Sequence, residues 1–138
     1  VLLEHAREWF DMDRLEESPY MMYAVDVLKS AVDQIPCITH VDNTCRIQTL
    51  TEEQNPNYYK LIEAFYHLTG VPILFNTSFN LAGDTIVETI EDALKTMRES
   101  EICYLYLPEK SELLFFPDAK ESTVDQLQLK NRYLKQLL

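Results

Sequence analysis

Two short polar runs carry side chains that could hold the oxygens of a phosphate or carbamoyl group. The first covers residues 39–46 and the second covers residues 76–80. Each accompanies an apolar stretch that predicts a β-strand, and open α/β sheets usually bind ligands beyond their strand ends. Hydroxyls, amides and a guanidinium suit oxyanions because they donate hydrogen bonds to them. The candidate substrate- and nucleotide-binding residues are His40, Thr44, Arg46, Asn76, Thr77, Ser78 and Asn80.

The alternative for both runs is a pair of hydrogen-bonded turns, which the spacing alone favours because turns use the same residue types. Neither run has the glycines of a phosphate-binding loop or of a dinucleotide fingerprint. No Gly-x-Ser-x-Gly is present, so Ser78 is not predicted to be a nucleophile. The sequence therefore assigns no catalytic residue.

Metal binding is not expected in this chain. Three histidines (His5, His40 and His67) have no ligand spacing to one another. The cysteines number 3, and no two of them have Cys-x-x-Cys spacing. Free thiols in a reducing cytoplasm are the favoured interpretation. The pKa of Cys45 could be lowered by its neighbour Arg46, although a thiol without a function is favoured.

Composition limits the class of protein. The chain has 138 residues, 46% of them hydrophobic and 25% charged, which predicts one globular domain. Its formal net charge of −11 disfavours nucleic acid and anionic membrane surfaces as partners. No apolar run approaches the roughly 20 residues of a membrane span. Any bound phosphate must be held by nearby hydrogen-bond donors, because the negative electrostatic field of the whole chain repels it.

Periodicity and capping signals predict an α/β sandwich with a mixed sheet. Helices are predicted over residues 2–10, from the cap Asn55 to the terminator Gly70, and from the cap Thr89, with Asp92 three residues later. Strands are predicted over residues 20–27, 38–41, 46–50, 71–75, 86–87, 102–107 and 113–116. Asn43 is predicted to adopt the left-handed conformation in the turn before the third of these.

Three segments carry a resemblance to a known family. They are His40-Val41-Asp42-x-Thr44-x-Arg46-Ile47-Gln48-Thr49, then Asn55-Pro56-x-Tyr58-Tyr59, then Gly70-Val71-Pro72-x-Leu74-x-Asn76-Thr77-Ser78-Phe79-Asn80. In order and interval they resemble the C-terminal domain of the NodU-type O-carbamoyltransferases. The resemblance covers residues 1–108, and the Asn-Thr-Ser-Phe-Asn run is its most specific part.

The resemblance implies a YrdC-like domain with a mixed twisted sheet. We expect a single domain that spans residues 1–121 and is completed by a helix over 122–138, which periodicity alone predicts. It implies an actin-like N-terminal domain in the same protein, which would hold the metal site. The family activates carbamoyl phosphate with ATP to carbamoyl-adenylate and passes the carbamoyl group to a hydroxyl. Arg46 would hold phosphate oxygens, Asn76 and Ser78 the carbamoyl or phosphoryl group, and His40 and Thr44 would line the same pocket.

The chain also departs from the family pattern. Asn43 stands where the family has glycine and Cys45 where it has alanine. An arginine-containing segment of the family would lie just before Val1, so we expect the isolated chain to be inactive. Two alternatives stay open: an interaction or oligomerisation domain without catalysis, and a stand-alone carbamoyl-adenylate-type nucleotide-binding protein.

The last 17 residues show a heptad pattern. An asparagine at a central a position is typical of helices that pair in register. Two heptads are too few to predict a coiled coil. The pattern therefore favours a terminal helix packed on its own domain, with a homodimer contact as the alternative. The seam consists of Val124, Leu127, Asn131, Leu134 and Leu138.

Overall fold

The computed structural model describes residues 1–115. The chain forms two compact units, Val1–Asn76 and a second that begins at Thr77. Both helices and strands contribute, which confirms the predicted α/β class. The described strands form two separate antiparallel sheets, one of three strands and one of two. The predicted boundary at residues 121 and 122, and the helix over 122–138, lie outside the described residues.

The first unit is built on the three-stranded sheet. Its strands are β1 (Phe10–Asp11), β2 (Ala24–Val27) and β3 (Thr44–Arg46), and β2 lies in the middle. The residues of β2 face those of β3 in the pairs Ala24 with Arg46, Val25 with Cys45, and Asp26 with Thr44. Because side chains alternate along a strand, Cys45 points to one face while Thr44 and Arg46 point to the other.

The predicted helix over residues 2–10 is shorter than expected. A 3-10 turn covers Leu3–His5, the helix α1 covers Ala6–Trp9, and Phe10 already belongs to β1. Most of the apolar residues that suggested a helix are buried, and Ala6 and Phe10 lie in the main core of the unit. The periodicity therefore identified the buried side chains, and the strand pairing of Phe10 with Val27 ends the helix early.

The helix predicted from Asn55 to Gly70 is confirmed. The helix α2 covers Pro56–Thr69, and the side chain of Asn55 accepts a hydrogen bond from the Tyr58 amide at 3.0 Å. Proline suits the first helical position because its missing N–H would have no helical partner there. Gly70 ends the helix with φ +75°, and its amide donates to the Tyr66 carbonyl at 2.7 Å. Ile62 buries the inner face of this helix against Leu2 and Leu50.

The second unit contains α3 (Ile90–Glu99) and an antiparallel pair, β4 (Tyr104–Leu107) and β5 (Glu112–Phe115). A 3-10 turn over Pro108–Lys110 connects the two strands. The predicted cap of α3 is confirmed as a reciprocal capping box: the Thr89 hydroxyl accepts from the Asp92 amide, and the Asp92 carboxylate accepts from the Thr89 amide. The core of this unit consists of Leu94, Met97 and Leu114 with Phe79, Leu105 and Leu107 packed around it.

Several predicted strands are wrong. Residues 38–41, 71–75 and 86–87 form no strand. The strand predicted over 20–27 is shortened to Ala24–Val27, and the strand observed near 46–50 lies earlier in the chain, at Thr44–Arg46. Pro72 and Ile73 are nevertheless buried, so the apolar composition of residues 71–75 reflects burial without a strand ladder. A ladder needs a neighbouring strand, which composition does not reveal. No helix among residues 1–115 is long and apolar enough to cross a bilayer.

Candidate functional site

Burial alternates along residues 44–49, which comprise β3 and the three residues after it. Cys45, Ile47 and Thr49 are buried. The residues between them are exposed or half-buried, as expected of extended chain with one face packed on the core. Alternate residues of extended chain are about 7 Å apart, so the outward side chains form a line on one side of the unit. The outward residues are Thr44, Arg46 and Gln48.

A tight turn fixes the start of this line. Asn43 has φ +64°, which confirms the predicted left-handed conformation, and its amide donates to the His40 carbonyl at 2.9 Å. Asp42 accepts hydrogen bonds from the amide of Thr44 at 3.0 Å and from its hydroxyl at 2.8 Å. These donors hold the pKa of the exposed Asp42 carboxyl below its ordinary value. Asp42 thus holds both the backbone amide and the side chain of Thr44 in place.

The same geometry fixes the tautomer of His40. Its Nδ1 lies 2.9 Å from the Thr44 hydroxyl, whose single proton is directed to Asp42. A carboxylate can only accept, so the hydroxyl must accept from the imidazole, and Nδ1 carries the proton. In a neutral ring Nε2 is then left as an acceptor. The structure therefore brings His40 and Thr44 together.

Arg46 lies at the centre of the line and is exposed. Its cross-strand neighbour on β2 is Ala24, which is small and uncharged. Within residues 1–115, Arg46 has neither an ion pair nor a side-chain hydrogen bond. A guanidinium with no carboxylate partner can donate two parallel N–H bonds to a pair of anionic oxygens in a bidentate contact.

Asn76 joins the line through Gln48. The Asn76 side-chain nitrogen donates to the Gln48 Oε1 at 2.8 Å and lies 3.7 Å from the Met21 sulfur. Gln48 in turn donates from Nε2 to the Pro19 carbonyl at 2.9 Å. We call His40, Thr44, Arg46, Gln48 and Asn76 the polar row.

Gln48 was missing from the residues predicted as ligands, although it stands within the motif that carries the resemblance. The alternation of polar residues at 44, 46 and 48 with apolar or small residues between them is a signal that could have identified it. Asp42 was also missing from the predicted site residues. Its role is to hold Thr44 in place, and that role is visible only once the structure of the turn is known.

The remaining predicted residues belong to the second unit. Thr77 and Ser78 are exposed. Asn80 donates from its side-chain nitrogen to the Asp84 carbonyl at 3.0 Å, which closes the loop around Gly83. Convergence of Arg46 and Ser78 on one ligand stays a prediction.

Cys45 lies on the buried face of β3, on the side opposite to Arg46. Burial raises the pKa of its thiol, so the neighbouring guanidinium does not activate it. All three cysteines are free thiols in the structure. Residues 1–115 contain no group of three or more histidine, cysteine, aspartate or glutamate side chains placed to hold a metal ion.

The family model and the similar proteins that we compared with this chain indicate the same family. A family model for the carbamoyltransferase C-terminus matches residues 1–111. The chain is 39% identical over 127 residues to the uncharacterized protein sll1178 of Synechocystis sp., covering 78% of the chain and 20% of that protein. It is 41% identical over 103 residues to nodulation protein NolNO of Sinorhizobium fredii, covering 74% of the chain and 15% of that protein.

A third relative is a named enzyme. The chain is 37% identical over 76 residues to the 3'-hydroxymethylcephem-O-carbamoyltransferase of Amycolatopsis lactamdurans, covering 55% of the chain and 14% of that protein. It thus spans a fifth or less of the length of these three relatives. The family match includes the whole polar row. This chain belongs to the carbamoyltransferase C-terminus family.

Proposed function

We propose that this chain is the part of an ATP-dependent O-carbamoyltransferase that handles carbamoyl phosphate and the nucleotide. Family membership supports a transferase of carbamoyl groups, and one relative is named as an O-carbamoyltransferase. The observation that carries the proposal is the guanidinium of Arg46, which has no partner among residues 1–115 and lies in the middle of the polar row. In a chain of net charge −11, a phosphate needs such a local cation.

The proposed reaction begins with carbamoyl phosphate, ATP and one water molecule. It yields carbamoyl-adenylate, pyrophosphate and phosphate. An acceptor hydroxyl then attacks the carbamoyl carbon, AMP leaves, and the hydroxyl proton goes to a base. Charge develops on phosphoryl oxygens in the first stage, so positioned hydrogen-bond donors contribute more than a protein nucleophile would.

The roles of individual residues follow from their chemistry. Arg46 holds a phosphate group, while Asn76 and Ser78 contact the carbamoyl group. His40 and Thr44 line the phosphate side of the polar row. Further proposed ligand contacts come from Thr77 and Asn80.

The proposed setting is a cytoplasmic protein in which a YrdC-like C-terminal domain works with an actin-like N-terminal domain. That N-terminal domain supplies the metal site and most of the acceptor site. ATP acts as a substrate, and this chain binds no metal of its own.

Replacement of Arg46 by alanine in the full-length protein that contains this chain tests the proposal. The assay follows pyrophosphate released from ATP in the presence of carbamoyl phosphate. A hydrogen bond to a charged group is worth about 1.5–3 kcal/mol, so kcat/KM should fall roughly 10- to 150-fold. Arg14→Ala is the matched control, because Arg14 is an exposed arginine of the same unit outside the polar row. The site assignment is contradicted if Arg46→Ala keeps the wild-type kcat/KM, or if Arg14→Ala loses as much activity as Arg46→Ala.

A non-catalytic interaction domain is the second candidate. Three large side chains before β2 are exposed: Tyr20 at 81%, Met22 at 74% and Tyr23 at 55%. Adjacent exposed apolar side chains are typical of interaction surfaces. If the full-length protein releases no pyrophosphate, this candidate replaces the first. ATP binding by the isolated chain would instead favour the stand-alone nucleotide-binding protein.

A further inference from the structure

The carbonyl of Pro19 is held in place by a buried set of hydrogen bonds between two segments. Ser18 donates from its amide to the Thr49 hydroxyl at 2.8 Å and from its own hydroxyl to the Ile47 carbonyl at 3.1 Å. Thr49 donates from its amide to the Ser18 carbonyl at 2.9 Å. Ser18 is 1% exposed and Thr49 is 2% exposed. Buried, fully paired groups of this kind keep one arrangement, because any other would leave a polar atom unpaired.

The orientation of the Gln48 amide follows from that anchor. Pro19 offers only a carbonyl oxygen, which accepts hydrogen bonds and cannot donate them. The Gln48 group 2.9 Å from it must therefore be the NH₂ group, which directs the Gln48 Oε1 toward Asn76. A reversed Gln48 amide would place two oxygens in contact.

The orientation of the Asn76 amide follows in the same way. The Gln48 Oε1 requires a donor at 2.8 Å, so Asn76 presents its nitrogen to Gln48. The Asn76 Oδ1 has no partner within residues 1–115, and the side chain is exposed. Asn76 is thus oriented as an acceptor on the polar row.

We propose that Gln48 is a positioning residue that makes Asn76 an acceptor for the NH₂ group of a carbamoyl ligand. This inference rests on the proposed function and adds the basis of its selectivity. Carbamoyl phosphate carries a donor NH₂ where acetyl phosphate carries a methyl group of similar size. A site built to bond an NH group discriminates against an analogue that lacks it, because the acceptor then stays unpaired.

The positioning step can be measured on the chain without any ligand. In NMR spectra of the wild-type chain, the Asn76 side-chain amide proton that is donated to Gln48 should be shifted from the position of a free amide and should exchange slowly with water. In Gln48→Leu this proton should move toward the free-amide position and exchange faster, while the two protons stay separate signals because rotation about the amide C–N bond is slow. Gln34→Leu is the control, because Gln34 also donates to a carbonyl, that of Ser30 at 2.9 Å, and within residues 1–115 it makes no hydrogen bond to a residue of the polar row. An unchanged Asn76 signal in Gln48→Leu would overturn the positioning role.

The selectivity step is measured on the full-length protein, with acetyl phosphate as a competitor. Gln48→Leu should raise the KM for carbamoyl phosphate roughly 3- to 10-fold, the range of one neutral hydrogen bond, with kcat changed less than about twofold. The inhibition constant of acetyl phosphate should change less than about twofold. The double variant Gln48→Leu/Asn76→Leu should lose no more than Asn76→Leu alone, because Gln48 acts through Asn76.

The outcomes separate this inference from the proposed function. An equal rise in the KM for carbamoyl phosphate and in the inhibition constant of acetyl phosphate overturns the selectivity, and so does additivity in the double variant. If the wild-type protein shows no pyrophosphate release dependent on carbamoyl phosphate, the proposed function fails and the selectivity fails with it. The NMR measurement still decides whether Gln48 positions Asn76.

Discussion

Asp42 illustrates how a residue without a predicted role organises one that has a role. Its carboxylate receives both the amide and the hydroxyl of Thr44, and the hydroxyl in turn accepts from His40. The positions of His40 and Thr44, two of the proposed ligand contacts, therefore depend on Asp42. The Asp42 side chain is exposed, and its hydrogen bonds go to Thr44, two residues later. Asn and Asp side chains commonly form such bonds to the backbone two residues later.

This arrangement predicts a pH effect. The pKa of Asp42 is lowered from its ordinary 3.8 because the Thr44 amide and hydroxyl donate to the charged form. A carboxyl with a depressed pKa in the folded state stabilises that state above its unfolded pKa. The contribution is lost as the pH falls through the lower folded pKa. Thr44→Val removes the hydroxyl donor, so the midpoint of Asp42 in an NMR titration should rise toward 3.8 without reaching it.

The matched control for that titration is Thr39→Val. The Thr39 hydroxyl donates to the Ile35 carbonyl at 2.9 Å and is not among the hydrogen-bond donors to Asp42. This variant should leave the midpoint of Asp42 where it is in the wild type. An unchanged midpoint in Thr44→Val would mean that the amide bond alone depresses the pKa of Asp42.

At the residue scale, the sequence indicated which side chains could bind a ligand better than it indicated which side chains they contact. His40, Thr44 and Arg46 belong to one turn and strand, so their proximity follows from short spacing. Gln48 and Asn76 are 28 positions apart, and only the folded chain shows their contact. Asn80 was predicted as a ligand, but its nitrogen also closes a loop.

At the scale of the elements, the capped ends of α2 and α3 were predictable, while several of the strands were not. The ends of α2 and α3 depend on local hydrogen bonds, such as those of the caps Asn55 and Thr89, and local sequence contains that information. A strand depends on a partner elsewhere in the chain. Residues 71–75 are apolar and partly buried without being paired in a sheet. Burial and strand pairing are separate properties, and composition reports the first.

The end of α2 gives a prediction on stability. Gly70 has φ +75°, and a Cβ added there would meet no atom within 4 Å. The cost of Gly70→Ala is therefore conformational strain without a clash, about 1 kcal/mol. Gly70→Asn should cost less, because asparagine tolerates the left-handed conformation. Urea denaturation of both variants measures the two free energies of unfolding. Equal costs for alanine and asparagine would show that strain at Gly70 is not the cause.

At the scale of the whole molecule, net charge and local chemistry act in opposite directions. The formal charge of −11 disfavours the approach of phosphates, yet Arg46 offers a cation with no carboxylate partner among residues 1–115. Beside Arg46, the rest of the polar row consists of uncharged amides, a hydroxyl and an imidazole. These groups add hydrogen bonds without increasing the long-range repulsion. Affinity for an anion would thus depend on short contacts, which salt screens only weakly.

The final prediction concerns residues 122–138, which lie outside the described residues. Their heptad pattern, with Asn131 at a central position, allows a homodimer contact, but its two heptads favour packing on the same domain. Deletion of residues 122–138, followed by light scattering, distinguishes the two. We expect the shortened and intact chains to have the same number of subunits, with the shortened chain melting at a lower temperature because apolar surface is lost. A fall from dimer to monomer on deletion would instead assign these residues to a homodimer contact.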